Sequence, residues 1–283
     1  MRLTPIQGRG GDQQEIDVVV ETQWIAGLEV ERAPARRPRV LFVHGAGAGS
    51  WTWSNFMRQF QEAGYDCYAM NLRGHAPNPP IPSLGELTLQ DYADDVRKVL
   101  AEIGEDVVLV GHSMGGAIAQ LVGQDARLRA LVLAASAPLA GVRFQPPPLN
   151  LSLLAASLRA YPTLIRRQPL KPRWRVIRHA ALNCLPPDQQ REVFAKMVPE
   201  SAVVGVQVYR GEVAADLTRV DYPILVISGT HDQTSILTME REIAEQRGAD
   251  MIELDRRGHM FMLEPGWEEC GRKILDWLRE KGI

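Results

Sequence analysis

The stretch VGHSMGG at 110–116 puts Ser113 at the centre of a G-x-S-x-G pattern, after the apolar run DVVLV and before a helical run of small residues. A tight strand-to-helix turn of this kind pushes the serine hydroxyl out above a sheet, and the flanking glycines admit the strained backbone. The plainer alternative is a Gly/Ser turn that closes a parallel strand. A serine hydroxyl needs a base to act as a nucleophile, and the base needs an orienting acid. Chains built on this elbow carry the three in the order Ser, acid, His. His179, His231 and His259 are the histidines that follow Ser113. His259 stands in RRGHMFML just beyond the run DMIELD, and Asp232 stands in PILVISGTHDQ directly after an apolar run. Their alternatives are a surface-loop histidine and an aspartate capping the helix that SILTMEREI starts. His231 is read as a loop residue. No acid follows the run ALVLAAS, so the acid is expected at Asp232.

Placing these side chains together requires a particular rhythm of elements. Short β-branched runs alternate with helical patterns: VLFVHG (40–45), a helix near 51–63, DCYAMNL (66–72), a helix near 88–103, DVVLVGHS (106–113), a helix over 114–125 and ALVLAAS (130–136). The pattern resumes with PILVISG (223–229), a helix near 235–247, DMIELD (250–255) and a helix near 266–281. This is the signature of an α/β fold with a mostly parallel sheet and helices on both faces. Ser113, Asp232 and His259 then all lie just past the C-terminal ends of separate strands, where open α/β sheets hold their sites. Ahead of this, IDVVVETQWIAGLEVERA predicts a hairpin of two edge strands turning near Gly27.

Residues 139–215 break the rhythm. They hold PPP at 146–148 and further prolines at 162, 169, 172, 186, 187 and 199, and they predict helices without a convincing strand. Eleven basic side chains against four acidic ones make the segment net +7, in a chain whose total is −2. The expected organisation is a core of residues 1–138 and 216–283 with a helical lid, 139–215, over the carboxyl ends of the strands.

Composition narrows the function classes. At 283 residues, 45% hydrophobic and 23% charged, the chain predicts a globular protein able to bury a large core. A net charge of −2 gives no global attraction to nucleic acid. Cys67, Cys184 and Cys270 form no CxxC or zinc pattern and are read as free, buried thiols. The histidines are scattered and HExxH is absent, so neither metal nor cofactor is expected. No stretch approaches the roughly 18 apolar residues of a membrane span, and the start MRLTPIQGRGGDQQEID lacks an apolar signal core, which together predict a cytoplasmic protein without a transmembrane segment. The loop HGAGAGSW (44–51) is rich enough in glycine to approach a phosphate or an oxyanion. Its glycines run G-x-G-x-G with Ser50 where a dinucleotide fingerprint wants its third glycine, and G-K-[ST] is missing, so phosphate is the poorer reading.

From about residue 38 to its end the chain resembles the serine hydrolases of the α/β-hydrolase fold superfamily, with Ser113 matching their nucleophile, Asp232 their acid and His259 their base. HGAGAGSWTW resembles the HG-x-x-x-G-x-W-x-W loop of the plant methylesterase and hydroxynitrile lyase group and of bacterial carboxylesterases, and GHMFMLEP resembles their H-M-x-M-x-x-P segment. Met260 stands where the lyases carry a lysine, which favours hydrolysis. MNLRGHAPN resembles D-x-R-G-H-G-x-S, but with Asn71 for the Asp and Pro77 for the second Gly, so Arg73 and His75 are read as structural. A serine at the elbow argues against epoxide hydrolases and haloalkane dehalogenases, which place an aspartate there.

The resemblance implies an acyl-enzyme mechanism on a small or medium, largely apolar ester, with an oxyanion hole of the Ala46 and Met114 backbone N–H groups. Two other functions are compatible with the sequence. The stretch LRAYPTLIRRQPLKPRWRVIRHA (158–180) has seven basic side chains and no acid, and could meet anionic lipid or the phosphates of an acyl carrier or CoA, giving a lysophospholipase or acyl thioesterase. A solvated lid face explains the same charges. A non-catalytic binding protein on the same fold is the alternative of another class.

Overall fold

A computed structural model describes residues 20–36, 38–142 and 162–283. Its eight strands are β1 (Glu21–Ile25), β2 (Leu28–Ala33), β3 (Arg39–Val43), β4 (Asp66–Met70), β5 (Val107–His112), β6 (Leu128–Ala134), β7 (Ile224–Gly229) and β8 (Asp250–Leu254). They form one sheet in the order β1-β2-β4-β3-β5-β6-β7-β8. The pairs from β4 to β8 are parallel, and β2 is antiparallel to both β1 and β4. This is the expected α/β architecture, with one correction. Only β1 of the hairpin is an edge strand, because β2 hydrogen-bonds on both sides. The reason lies in β2 itself: Leu28, Val30 and Ala33 are buried, so the strand needs cover that an edge would not give. Ala26 and Gly27, both at positive φ (52° and 79°), make the two-residue turn. Residues 16–19 of the predicted hairpin lie outside the described residues.

The helices are α1 (Ser54–Glu62), α2 (Leu89–Ile103), α3 (Met114–Gly123), α4 (Trp174–Ala180), α5 (Pro187–Lys196), α6 (Ala202–Arg210), α7 (Leu237–Arg247) and α8 (Trp267–Glu280). Strands β3, β4, β5 and β7 are buried along nearly their whole length, which is why they read as unbroken apolar runs. Their period of two splits them between two cores. Leu41 and Val43 of β3 join the cluster with Val96 of α2, Ile118 of α3 and Ile243 of α7. Val40 and Phe42 join the other, with Phe56 of α1 and Ile274 of α8. Each such side chain fully buried stabilises the fold by about 1.5–3 kcal/mol. Helix α2 is fixed at its start by a reciprocal cap: Thr88 Oγ1 accepts from Asp91 N, and the Asp91 carboxylate accepts from Thr88 N.

Helices α4, α5 and α6 fall between β6 and β7, inside the segment expected to be a lid. Residues 170 and 200 pair there as an isolated antiparallel bridge. Arg166, Arg167, Lys171, Arg173, Arg175 and Arg178 are exposed. The triple proline and Arg143, Arg159 and Tyr161 lie outside the described residues, as does the N-terminal stretch 1–19. The three cysteines are free, but Cys184 is only half-buried, because it sits in the loop after α4 rather than in a strand or an apolar helix face.

Candidate active site

Ser113 directly follows β5 and is the N-cap residue of α3 at φ 55°, ψ −120°, a conformation that costs an ordinary residue about 1–3 kcal/mol. The glycines of the motif are required by close backbone crossings. A Cβ on Gly111 would lie 2.2 Å from the Gly115 carbonyl oxygen, and one on Gly115 would lie 2.4 Å from that of Val43. A Cβ on Gly45 would come within 2.9 Å of Ser113 Cβ, so the glycine-rich loop is seated directly against the elbow. Among the described residues, the N–H groups of Met114 and Ala46 donate to nothing. Both residues line, with Ser113, a cavity of about 770 Å³. Its opposite wall comes from the segment between β6 and β7, including Leu170, Ile177, Val204 and Val208.

Asp232 follows β7 and is buried. Its Oδ2 accepts from His259 Nδ1 at 2.8 Å, while Oδ1 accepts from the backbone N–H groups of Thr234 (2.7 Å) and Ser235 (2.9 Å). One oxygen thus organises the turn into α7 and the other holds the His259 ring. His259, also buried, lies beyond β8 in a loop pinned by Glu264, whose carboxylate accepts from Gly258 N at 3.0 and 3.1 Å. His112 Nε2 donates to the His259 carbonyl at 2.9 Å, with the two rings 4.6 Å apart. Burial, then the neighbouring His259, holds the His112 pKa well below its usual range and keeps the ring neutral. Ser113 Oγ and His259 Nε2 make no hydrogen bond to each other or to another described residue.

Two N–H groups of the loop HGAGAGSW are given to side chains of the protein itself, one of them a carboxylate. Gly47 N donates to Glu200 Oε2 at 3.0 Å, and Ser50 N donates to Asn71 Oδ1 at 2.8 Å. Glu200 is buried, and its carboxylate also accepts from His75 Nε2 (3.0 Å), Tyr92 Oη (2.7 Å) and Ser201 N (2.7 Å). Burial alone would raise the Glu200 pKa, but the His75 hydrogen bond and charge and the two backbone donors leave it lowered. For His75, burial lowers the pKa, and Glu200 outweighs that and raises it. His44 donates from Nδ1 to the Gly45 carbonyl and accepts at Nε2 from Leu72 N. Burial first, and the charge of His75 second, press its pKa down to about 3.

The other residues that the sequence singles out lie as follows. Arg73 makes a two-pronged ion pair with Asp95, and His75 is buried against Glu200. His231 and His179 are exposed. Met260 is buried in the second core. The described residues contain no group of side chains able to hold a metal ion and no helix long and apolar enough to cross a membrane. Sequence reasoning missed Glu200 and Glu264. Glu200 left a signal: it is an acid beside a proline in a segment dominated by arginine.

The profile of the alpha/beta hydrolase family matches residues 40–269. A putative esterase/lipase of Mycoplasma pneumoniae is 33% identical over 138 residues, 47% of each chain. Methylesterase 18 of Arabidopsis thaliana is 35% identical over 78 residues, 27% of this chain and 29% of that one. The matched stretches thus span less than half the length of these curated relatives. Among solved structures, the monoacylglycerol lipase of Paleococcus ferrophilus superposes with a TM-score of 0.70 at 21% identity, over 90% of this chain and 99% of the other. A thermophilic esterase from Thermogutta terrifontis does so with a TM-score of 0.69 at 20% identity, over 93% and 99%. These likenesses agree with the sheet order, the helices on both faces and the strained serine between β5 and α3: the chain belongs to the alpha/beta hydrolase family.

Proposed function

We propose that this protein is a serine carboxylic ester hydrolase in which Ser113 is the nucleophile, His259 the general base and Asp232 its orienting acid. The observation that carries the reading is Ser113 at φ 55° in the turn between β5 and α3, a strain with no purpose in a plain closing turn. With Nδ1–H given to Asp232, the His259 lone pair sits on Nε2, ready for a proton. His259 takes the Ser113 proton as Oγ attacks the ester carbonyl, and the oxyanion is met by the undonated N–H groups of Ala46 and Met114. The C–O bond to the alcohol then breaks, the alkoxide leaves with the proton held by His259, and water removes the acyl group by the same route. The Ser113–His259 hydrogen bond, open in the free protein, closes as substrate fills the cavity.

Residues 139–215 act as the lid in this reading. The apolar wall they give the cavity suits an uncharged acyl chain of small or medium length. Arg178 and Arg191 lie over the ring of Trp174, 6.0 and 5.2 Å from its centroid, which favours a solvated lid face over a lipid-binding one. A panel of p-nitrophenyl esters, thioesters and lysophospholipids compared by kcat/KM tests the substrate class, and a fluorophosphonate probe tests the nucleophile. Hydrolysis is expected to fall more than about 10⁴-fold in Ser113→Ala, with labelling abolished. Full activity in that variant, or no labelling of the native protein, would overturn the reading.

A further inference from the structure

Both peptide groups that meet at Gly47 are held from the same short run of the lid. Gly47 N donates to the Glu200 carboxylate at 3.0 Å, and the Gly47 carbonyl accepts from Val198 N at 2.9 Å. Gly47 is the third residue of the turn Gly45–Ala48, closed by Ala48 N donating to the Gly45 carbonyl, and its φ is +63°. A positive φ at that position marks a type II turn, which differs from type I by a flip of the central peptide, here Ala46–Gly47. A carboxylate facing that peptide selects one orientation, because it attracts the N–H and repels the carbonyl. The docked 198–200 run also makes glycine necessary: a Cβ at 47 would lie 2.7 Å from the Val198 carbonyl oxygen.

A bare carboxylate in this place would work against an oxyanion forming beside it. Glu200 is not bare. His75 donates from Nδ1 to the Arg73 carbonyl at 3.1 Å and from Nε2 to Glu200 at 3.0 Å, and an imidazole that donates from both nitrogens is protonated. The pair is therefore neutral overall. Its titratable surroundings are Tyr92 of α2, bonded to Glu200, with Asp95 and Arg73 next to Tyr92, and the neutral His44 at the end of β3, whose ring centroid is 4.8 Å from that of His75.

We infer that Glu200, neutralised by His75, is a positioning residue: by holding the Gly47 N–H it fixes the turn Gly45–Ala48, and with it the preceding Gly45–Ala46 peptide whose N–H the proposed oxyanion hole uses, so that the hole is complete only while the 198–200 run of the lid is docked on the glycine-rich loop. The inference rests on the hydrolase reading above. It makes the lid more than a cover, since lifting it removes both hydrogen bonds to Gly47 and releases the turn that carries the Ala46 N–H.

The test is steady-state hydrolysis of p-nitrophenyl butyrate by the full chain, native and as Glu200→Gln, His75→Gln and Ser113→Ala, with the melting temperature of each. Losing an oxyanion donor outright costs about 10²–10³-fold in kcat, so misaiming one is expected to cost about 10–100-fold in Glu200→Gln, with KM moved by less than about threefold. His75→Gln, which leaves the carboxylate unneutralised, is expected to lower kcat as well and to remove the basic limb that loss of the His75 proton gives the native kcat–pH profile. His75→Gln also carries the test if Glu200→Gln does not fold. If the native protein is active, Ser113→Ala is dead and both Gln variants fold with native kcat and an unchanged pH profile, Glu200 is only a structural anchor and the inference is wrong. An inactive native protein or an active Ser113→Ala would instead remove the hydrolase reading, and this inference with it.

Discussion

Among the described residues, two carboxylate–histidine pairs of the same chemical make-up are buried, Asp232 with His259 and Glu200 with His75, at nearly equal separations of 2.8 and 3.0 Å. What separates them is the second ring nitrogen. His259 donates from Nδ1 to its acid, and Nε2 has no partner among the described residues. His75 donates from both nitrogens, to Glu200 and to the Arg73 carbonyl. The first ring has a site for another proton; the second is already full. The carboxylates differ in the same sense. Asp232 organises two backbone N–H groups of its own loop, whereas Glu200 ties together the segment between β6 and β7, the glycine-rich loop and α2. Burial and an acid partner are therefore not enough to mark a base, and a free nitrogen is the feature that tells the pairs apart.

The largest effect expected from breaking this contrast is in Asp232→Asn. The amide still fills the space and can still bond the ring, but it can donate to Nδ1 and so favours the tautomer with its proton on Nε2. In the proposed mechanism kcat then falls by about 10⁴-fold, while the melting temperature changes little. Stopped-flow or discontinuous ester assays on folded protein, checked by circular dichroism, measure it. A kcat within about tenfold of native would mean that His259 does not depend on Asp232.

This difference between the pairs also marks how far the sequence could be read. The candidates Ser113, Asp232 and His259 were legible because each follows a strand at a topologically fixed place, apolar in β5 and β7 and mixed in β8, so that order along the chain pointed to one end of the sheet. The strands were legible for the same reason: β3 to β7 are buried on both faces and carry little else than apolar side chains. Glu200 was not legible, because its partners Gly47, His75 and Tyr92 are more than a hundred residues away and its role depends on where an irregular segment docks. His75 could be seen to be structural from the altered motif around Asn71 and Pro77, but nothing local named its acid. The position of β2 was misjudged because the pairing of a hairpin with a distant strand leaves no periodic trace.

The next largest effect is on stability, and it falls on the second pair. Glu200→Ala leaves the His75 imidazolium buried without its counter-charge, and breaking a buried pair in this way costs about 3–5 kcal/mol. The pH dependence has a definite sign. The Glu200 pKa is lowered from its ordinary 4.5, so its contribution is present above that value and is lost as pH falls through the folded one. The His75 pKa is raised from its ordinary 6.5, so its contribution is complete below 6.5 and is lost as pH rises through the folded one. Urea unfolding of native protein and variant is expected to show the widest gap between pH 4.5 and 6.5, narrowing on both sides. A gap that does not vary with pH would contradict the protonated state assigned to His75.

The smallest effect is expected at His231, which touches Asp232 in sequence and nothing of the site in space. Its side chain is exposed, and the residue is held only through its backbone: His231 N donates to the Arg257 carbonyl at 2.8 Å, and its own carbonyl accepts from Asn183 Nδ2 at 2.8 Å. Both bonds survive truncation of the imidazole, since alanine keeps the same main-chain donor and acceptor. His231→Ala is therefore expected to stay within about ±0.5 kcal/mol of native stability and to keep its kcat for p-nitrophenyl esters within about twofold. A marked loss of kcat would place a titratable side chain of this loop in the proton path. That would weaken the assignment of the base to His259 alone, because the free-nitrogen criterion that separates the two buried pairs would then also be met by an exposed ring one residue from the acid.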